Sequence, residues 1–480
     1  MFGLLGNPIA QAAFAPTRSA QDSGNSDRRV YLPMVNNRWP RSSPFGVESF
    51  RHLNADNQSQ QYIRELGGQW VRINHKISWR LLQPVEDGPI RWETLQALEA
   101  DLRSMRTLGV SPVIVVDDHP AWAVQPAVGA SGEIVYPSCG AIRSDKLAAF
   151  ASFVQQLAQR YSALPYAVHH WEIGNEPDID PSLVATDSQY GCWGDKTDVF
   201  YGGRHYGEML KTLTPAVKAA DPAAKIWVGG LLLDNPDTAV QASEGRPEAF
   251  LQGILEAGAG PYFDILAYHA YPAYPNRRVD ADLLPGSKWA NWGGFVLGKV
   301  RFLRSVMQQY GVEKPIYLNE ISLTCSEAAY FCNPPTAAFY QAQADQLVRS
   351  LTRGLSENID GFIWYSLEDP GWRHVGLLDR MEQPKPAYYA YKQLVKRLQD
   401  TRFDRPVDYG EGLEGYAFHG RNQTVHVLWA QEDREIVVSV PPSTFIAAYD
   451  LYGLPIACQP DAASCRITAG FSPVYIIRTP

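Results

Sequence analysis

The chain of 480 residues has no apolar run long enough to cross a bilayer as a helix, which excludes a membrane span. Positive charge is short as well: 43 Lys and Arg against 51 Asp and Glu leave a net charge of −8. With no basic surplus to meet phosphates, nucleic acid is not an expected partner. Gly-x-Gly-x-x-Gly follows none of the apolar strand patterns, which removes the backbone cradle of a dinucleotide-binding fold. Cysteine is scarce, at six, and no two have the Cys-x₂₋₄-Cys spacing of a zinc site. They fall instead into three near pairs: Cys139 with Cys192, Cys325 with Cys332, and Cys458 with Cys465. An even number, closely spaced in loop sequence, points to disulfides and an oxidising compartment, so the expected location is secreted or cell-surface.

The amino terminus lacks the marks of a fold. Met1 to Ala15 is weakly apolar and ends Ala12-Ala13-Phe14-Ala15, which resembles a processing site, but it has no positively charged start and no strong apolar core. Pro16 to Arg29 is polar and is expected to be disordered. Residues 1–40 therefore read as a leader. What the chain has in surplus is aromatic: thirteen Trp and 25 Tyr exceed what a core requires. Their faces stack on sugar rings, which favours a carbohydrate enzyme; a large barrel filled with big side chains is the plain alternative.

From Phe45 onward, short apolar strands alternate with helical periodicity. Strands are expected at 45–50, 68–73, 113–116, from 168, and at 225–230, 265–268, 316–318 and 361–365. Helical spacing recurs at 59–66, 92–108, 144–161, 206–220, 247–257, 295–310, 337–356 and 388–399. Eight βα units with buried strands imply an α/β fold of the closed kind, a (β/α)₈ TIM barrel over residues 41–403. An open doubly wound sheet is the runner-up. After residue 404 the period shortens to strands and turns, which predicts a small C-terminal antiparallel β-sandwich over 404–480.

Two strand ends carry chemistry. Val168-His-His-Trp-Glu-Ile-Gly-Asn-Glu-Pro-Asp178 runs from an apolar lead into a polar tip. Pro177 has no N–H and biases Glu176 toward extended backbone, so the tip reads as strand turning into loop. Pro315-Ile-Tyr-Leu-Asn-Glu-Ile-Ser322 repeats the arrangement with Glu320. Two carboxylates on the ends of buried strands are the minimum equipment for acid/base and nucleophilic work on a glycosidic bond. A solvated loop glutamate is the bland reading of either one alone.

The Asn175-Glu176-Pro177 tip, His269-Ala-Tyr271 two strands later, Glu320 at the seventh strand end and Trp364 at the eighth resemble the retaining (β/α)₈ glycoside hydrolases of clan A. With the short β-sandwich that follows, the chain is most similar to glycoside hydrolase family 39, over residues 45–480. That resemblance implies cleavage of β-glycosidic bonds in an oligo- or polysaccharide by double displacement, with no cofactor and no metal. It implies Glu176 as general acid/base and Glu320 as nucleophile. Asn175 would hold the 2-hydroxyl, Tyr271 would donate to the nucleophile with His269 on the same wall, and Arg72 would support the nucleophile's charge. Trp364 would be the platform under the sugar, and His119 a sugar contact.

Physical chemistry adds its own expectations. Glu176 needs burial or a neighbouring negative charge to stay protonated, while Arg72 and Tyr271 favour an ionised Glu320, which would drive the two pKa values apart. Glu172, inside the strand, is expected to be a buried, paired structural carboxylate. His169 and His170 point in opposite directions as strand neighbours. Two other functions compete. A metal-dependent hydrolase on the same barrel would draw on Asp117, Asp118, His119, His169, His170 and His269. A catalytically inactive carbohydrate-binding protein would keep the platforms without the working pair.

Overall fold

The core strands are apolar on both faces, and a parallel sheet sheathed in helices is the arrangement that buries both. The computed structural model describes residues 43–53, 57–128, 131–184, 188, 190–234, 245–285, 289–460 and 464–480; the expected leader lies outside them. The barrel strands are β1 (Phe45–Ser49), β2 (Trp70–Ser78), β3 (Ser111–Asp117), β4 (His170–Ile173), β5 (Lys225–Leu231), β6 (Ile265–Ala270), β7 (Ile316–Ile321) and β8 (Gly361–Trp364). Each pairs in parallel with the next, and β8 pairs with β1 to close the barrel. The open doubly wound alternative is thereby removed.

Helices cover the outside: α1 (Asn57–Leu66), the short α2 (Trp79–Leu82), α3 (Gln96–Leu108), α4 (Leu147–Tyr161), α5 (Gly203–Ala220), α6 (Phe250–Glu256), α7 (Gly294–Gln309), α8 (Ala337–Ser356) and α9 (Pro386–Leu398). Their ends follow local chemistry. Gly109 takes the left-handed cap of α3 at φ 74°, the Thr336 side chain accepts from the Phe339 N–H at the start of α8, and Pro386 opens α9.

Inside the barrel the strands stack side chains in layers. At the amino-terminal end, Trp70, Trp227, Tyr317 and Ile363 pack into a floor, with His170 edge-on to Trp70 at 4.8 Å. Above it lie Arg72, Glu172 and Glu48, and above those the carboxyl-terminal mouth. The register of β7 slips against both neighbours after Leu318, so that Tyr268 pairs with Leu318 but His269 pairs with Glu320. This bulge lets Asn319 and Glu320, adjacent in sequence, both reach the barrel interior.

The carboxyl-terminal strands are β9 (Arg402–Pro406), β10 (Leu413–His419), β11 (Thr424–Ala430), β12 (Ile436–Val440), β13 (Phe445–Tyr449), β14 (Gln459–Pro460), β15 (Cys465–Ala469) and β16 (Val474–Arg478). They form an antiparallel five-stranded sheet in the order β9-β10-β11-β16-β13 and a three-stranded sheet, β12-β15-β14. Leu428, Val438, Val440, Ile467 and Ile476 fill the space between the sheets. The opposite face of the larger sheet, with Val425, Val427, Trp429 and Tyr475, joins the barrel's own core. That explains why α8 buries Asp345, Arg349 and Arg353: the sheet covers its outer side. Arg353 forks onto Glu414 at 2.6 and 2.7 Å, and Arg349 lies over Phe471 at 4.0 Å. Disulfides join Cys139 to Cys192, Cys325 to Cys332 and Cys458 to Cys465.

Candidate active site

One guanidinium organises the mouth. Arg72 is buried in β2, where its Nε and Nη2 donate to the two oxygens of Glu172 at 2.7 and 3.0 Å. Nη1 donates to Glu48 Oε2 at 2.5 Å and to Glu320 Oε1, and Nη2 also donates to Asn175 Oδ1 at 2.6 Å. Burial opposes the Arg72 charge, and the carboxylates of Glu172, Glu48 and Glu320 more than offset it, lifting its pKa. Glu172 is completed by Asn319 Nδ2 at 2.9 Å and the Gly230 N–H at 3.1 Å, the satisfied structural carboxylate that its place inside the strand suggests. Because Arg72 fixes Asn175 Oδ1, the amide nitrogen of Asn175 is left to the cleft.

Glu320 is held from both sides, by Arg72 on Oε1 and by the Tyr271 hydroxyl on Oε2. Glu176 follows β4 through Gly174 (φ 76°) and itself adopts a left-handed backbone at φ 48°, with its N–H on the Gly230 carbonyl at 3.2 Å. A side-chain-bearing residue held there is uncommon and marks a constrained position. One oxygen of Glu176, one of Glu320 and a ring nitrogen of His269 all lie within 4.8 Å of one another.

His269 Nδ1 is 2.7 Å from Glu176 Oε1 and 3.5 Å from Glu320 Oε2. Its Nε2 has no hydrogen-bond partner among the described residues and lies against Gly230. The partners therefore assign the proton to Nδ1, which donates to Glu176. Burial keeps the ring neutral, its pKa brought down to about 4.

Burial also pushes both glutamates up to about 7, and the charge of Glu48 adds to this at Glu320. The two are not driven apart as the sequence suggests, because the same dry mouth raises both. Their hydrogen-bond donors distinguish them. Arg72 and Tyr271 both donate to Glu320, and His269 alone donates to Glu176, so a single proton shared by the pair resides on Glu176.

Glu176 and Glu320 line a cleft of about 530 Å³ with Asn74, Lys76, Tyr190, Tyr365 and Trp372. Tyr271, Tyr365 and Trp372 meet edge to face, with centroids 5.2–5.9 Å apart. Six expected site residues thus converge: Arg72, Asn175, Glu176, His269, Tyr271 and Glu320. Two do not. Trp364 is 1% exposed and its Nε1 donates to the Val375 carbonyl at 3.3 Å; the cleft-facing ring is its neighbour Tyr365, since successive residues point to opposite sides. His119 is buried among Trp79, Phe150 and Trp193, where it lines a cavity of about 20 Å³ behind Glu176 and not the cleft. Trp122, Trp193, Trp289 and Trp292 also lie outside the cleft lining. Glu48, Lys76, Tyr190, Tyr365, Trp372 and Asp234 were not singled out from sequence; only Glu48, a charge inside an apolar strand, carried a visible sign.

The alternative metal pool does not assemble. Asp117 pairs with Lys76 and Asp118 with Arg80; His169 pairs with Asp221 and His170 packs in the floor. Of that pool, His269 alone joins the glutamates, in the one three-residue group among the described residues that could hold a metal. There the oxygens of Glu320 are occupied by Arg72 and Tyr271, and the guanidinium's charge repels a cation.

No protein-family model matches the chain, and no curated protein matches it. Solved structures do. A family 39 glycoside hydrolase from the gut symbiont Bacteroides cellulosilyticus superposes with a TM-score of 0.66 at 18% identity, covering 91% of this chain and 81% of that one. A family 30 endoxylanase from Clostridium papyrosolvens gives 0.58 at 12% identity, covering 91% and 96%. A monomeric β-xylosidase from Caulobacter crescentus gives 0.57 at 16% identity, covering 92% and 96%. What the chain shares with these structures, over about nine-tenths of its length, is the fold.

Proposed function

We propose that the protein is a retaining glycoside hydrolase of the clan A type, nearest to family 39, that cleaves β-glycosidic bonds in an oligo- or polysaccharide. The observation that carries the reading is the close pair itself. Glu176 and Glu320 present oxygens within 4.8 Å of each other, which supports the close carboxyl pair of a retaining enzyme over the wide pair that seats a water beside the sugar in an inverting one. Glu320, charged and aligned by Arg72 and Tyr271, attacks the anomeric carbon while Glu176 gives its proton to the departing oxygen. His269 donates to Glu176 Oε1, which leaves Oε2 to carry that proton. In the second half, Glu176 takes a proton from water as it attacks the glycosyl-enzyme. Asn175 binds the 2-hydroxyl, where hydrogen bonds strengthen in the transition state. Tyr365 replaces Trp364 as the platform beneath the ring. Three disulfides suit an extracytoplasmic enzyme.

Stereochemistry tests the mechanism directly. With β-glycosides followed by NMR, the first-formed product anomer is expected to be β; early α product would overturn double displacement. Glu320→Gln is expected to abolish turnover of every substrate. Glu176→Gln is expected to spare activated aryl glycosides in the first step, and azide should rescue the second. A catalytically inactive sugar-binding protein would show no turnover on any glycoside.

A further inference from the structure

One cleft carboxylate outside the pair is held more firmly than a loop residue requires. Asp234 lies just past β5, lines the cleft with Glu176 and Leu232, and is a quarter exposed. Trp289 Nε1 donates to its Oδ1 at 3.1 Å and Lys299 Nζ to its Oδ2 at 3.1 Å. Lys299 reaches in from α7, fully buried, and also donates to the carbonyls of Leu232 at 2.6 Å and His269 at 2.9 Å. The backbone leading to Asp234 is pinned too: Asp178 accepts from the N–H groups of Leu232 and Leu233 at 2.9 and 2.7 Å, with Leu233 at φ 59°. Each oxygen of Asp234 thus has one fixed donor and a lone pair to spare. Preorganisation of this kind belongs to a group that binds something.

We infer that Asp234 is a specificity-determining residue that accepts hydrogen bonds from hydroxyls of the sugar on the leaving-group side of the bond. The substrate is then a glycan from which another sugar departs, and not an alkyl or aryl glycoside. This deepens the glycosidase reading above and rests on it. The side follows from the chemistry. Glu176 protonates the departing oxygen, so the wall that continues from Glu176 across β5 is where the leaving group lies. Asn175, Glu320, Tyr271 and Tyr365 surround the ring that becomes attached. On the leaving-group wall Ile179 and Leu232 offer an apolar face to the C–H side of a ring, and Asp234 offers the acceptor for its hydroxyls. The competing reading makes Asp234 only the charge partner of Lys299, near enough to Glu176 to influence its proton.

Asp234→Asn, which keeps the shape and weakens the acceptor, separates the two. It is assayed at each protein's own pH optimum with pairs that share a glycone: xylobiose against p-nitrophenyl β-xyloside, and cellobiose against p-nitrophenyl β-glucoside. On the disaccharide, kcat/KM is expected to fall at least about tenfold, as for loss of a hydrogen bond to a charged group. The aryl glycoside lacks those hydroxyls and is expected to stay within about twofold. Trp289→Phe, which removes the donor that orients Oδ1 and keeps an aromatic ring in its place, should move the same ratio in the same direction by less, and it carries the test if the first variant does not fold. Equal losses on both members of a pair, or no loss on either, overturn the inference. If the wild-type chain cleaves neither glycone, the pairs are remade with the glycone found in a panel of β-glycosides; a chain that cleaves no glycoside of that panel overturns the glycosidase reading itself, and the inference with it.

Discussion

Glu176 and Glu320 are the same side chain given different partners, and their pH behaviour follows. Both carboxyls are pushed up to about 7 by burial, and catalysis needs the pair to hold one proton. Under the proposed mechanism, Glu320 becomes protonated and cannot attack as pH falls through that region, and Glu176 loses the proton it must give as pH rises. A plot of kcat/KM against pH is expected to be a bell with limbs on either side of about 7. In Glu176→Gln, assayed with a dinitrophenyl glycoside whose leaving group needs no proton, the alkaline limb should vanish and the acid limb remain. An alkaline limb that survives would belong to some other group. Arg72 offers a second test. A lysine there supplies one point charge and cannot fork to Glu172 while reaching Glu48 and Glu320. Arg72→Lys is expected to lower kcat/KM about a hundredfold and to cost about 2–3 kcal/mol of stability, read by urea unfolding.

At the scale of elements, close approach between strands sets the site. A Cβ at Gly230 in β5 would stand 1.9 Å from His269 Nε2, so Gly230→Ala must push the ring off Glu176. Turnover is expected to drop about a hundredfold, with a loss of about 1–3 kcal/mol of stability from overpacking; unchanged kinetics would detach His269 from catalysis. The barrel was legible because apolar runs and helical spacing are local. The alternation of Val113 to Val116 with the α4 sequence needs no partner to be read. The finer site was less legible where it depended on side-chain direction. β2 runs on to Ser78 because Asn74 and Lys76 face the cleft, and a polar stretch after an apolar run looks like a loop. The choice between Trp364 and Tyr365 turns on one step of strand parity, and the burial of His119 on loops that converge from far along the chain. The sandwich begins two residues before 404, with β9, because an edge strand of Arg-Phe-Asp-Arg-Pro is charged and ends in proline and does not read as a strand. Glu48 is a charge in an apolar strand, but its meaning lies in Arg72, which three dimensions bring to it.

For the whole molecule, the shared core predicts shared fate. Trp429 and Tyr475 are fully buried against the barrel, and burial of each such side chain is worth about 1.5–3 kcal/mol. A chain cut after residue 406 is expected to be insoluble, and the intact chain to melt in a single calorimetric transition; two separate transitions would contradict this. Cys139 and Cys192 are 53 residues apart, a span at which a cross-link stabilises by about 4 kcal/mol. Alkylation without reductant is expected to label no cysteine, and reduction to lower the melting temperature. The floor of Trp70, Trp227 and Tyr317 has a consequence of a different kind. The barrel is a cup, with one doorway for arrivals and departures. Under double displacement, the water that frees the attached sugar must come in through the opening the first product has just used. A sugar waiting in that doorway stands where the water would stand, with a hydroxyl already near Glu176. As substrate concentration rises, the enzyme is therefore expected to build as well as cut, and mass spectra of the products should show oligosaccharides longer than any supplied.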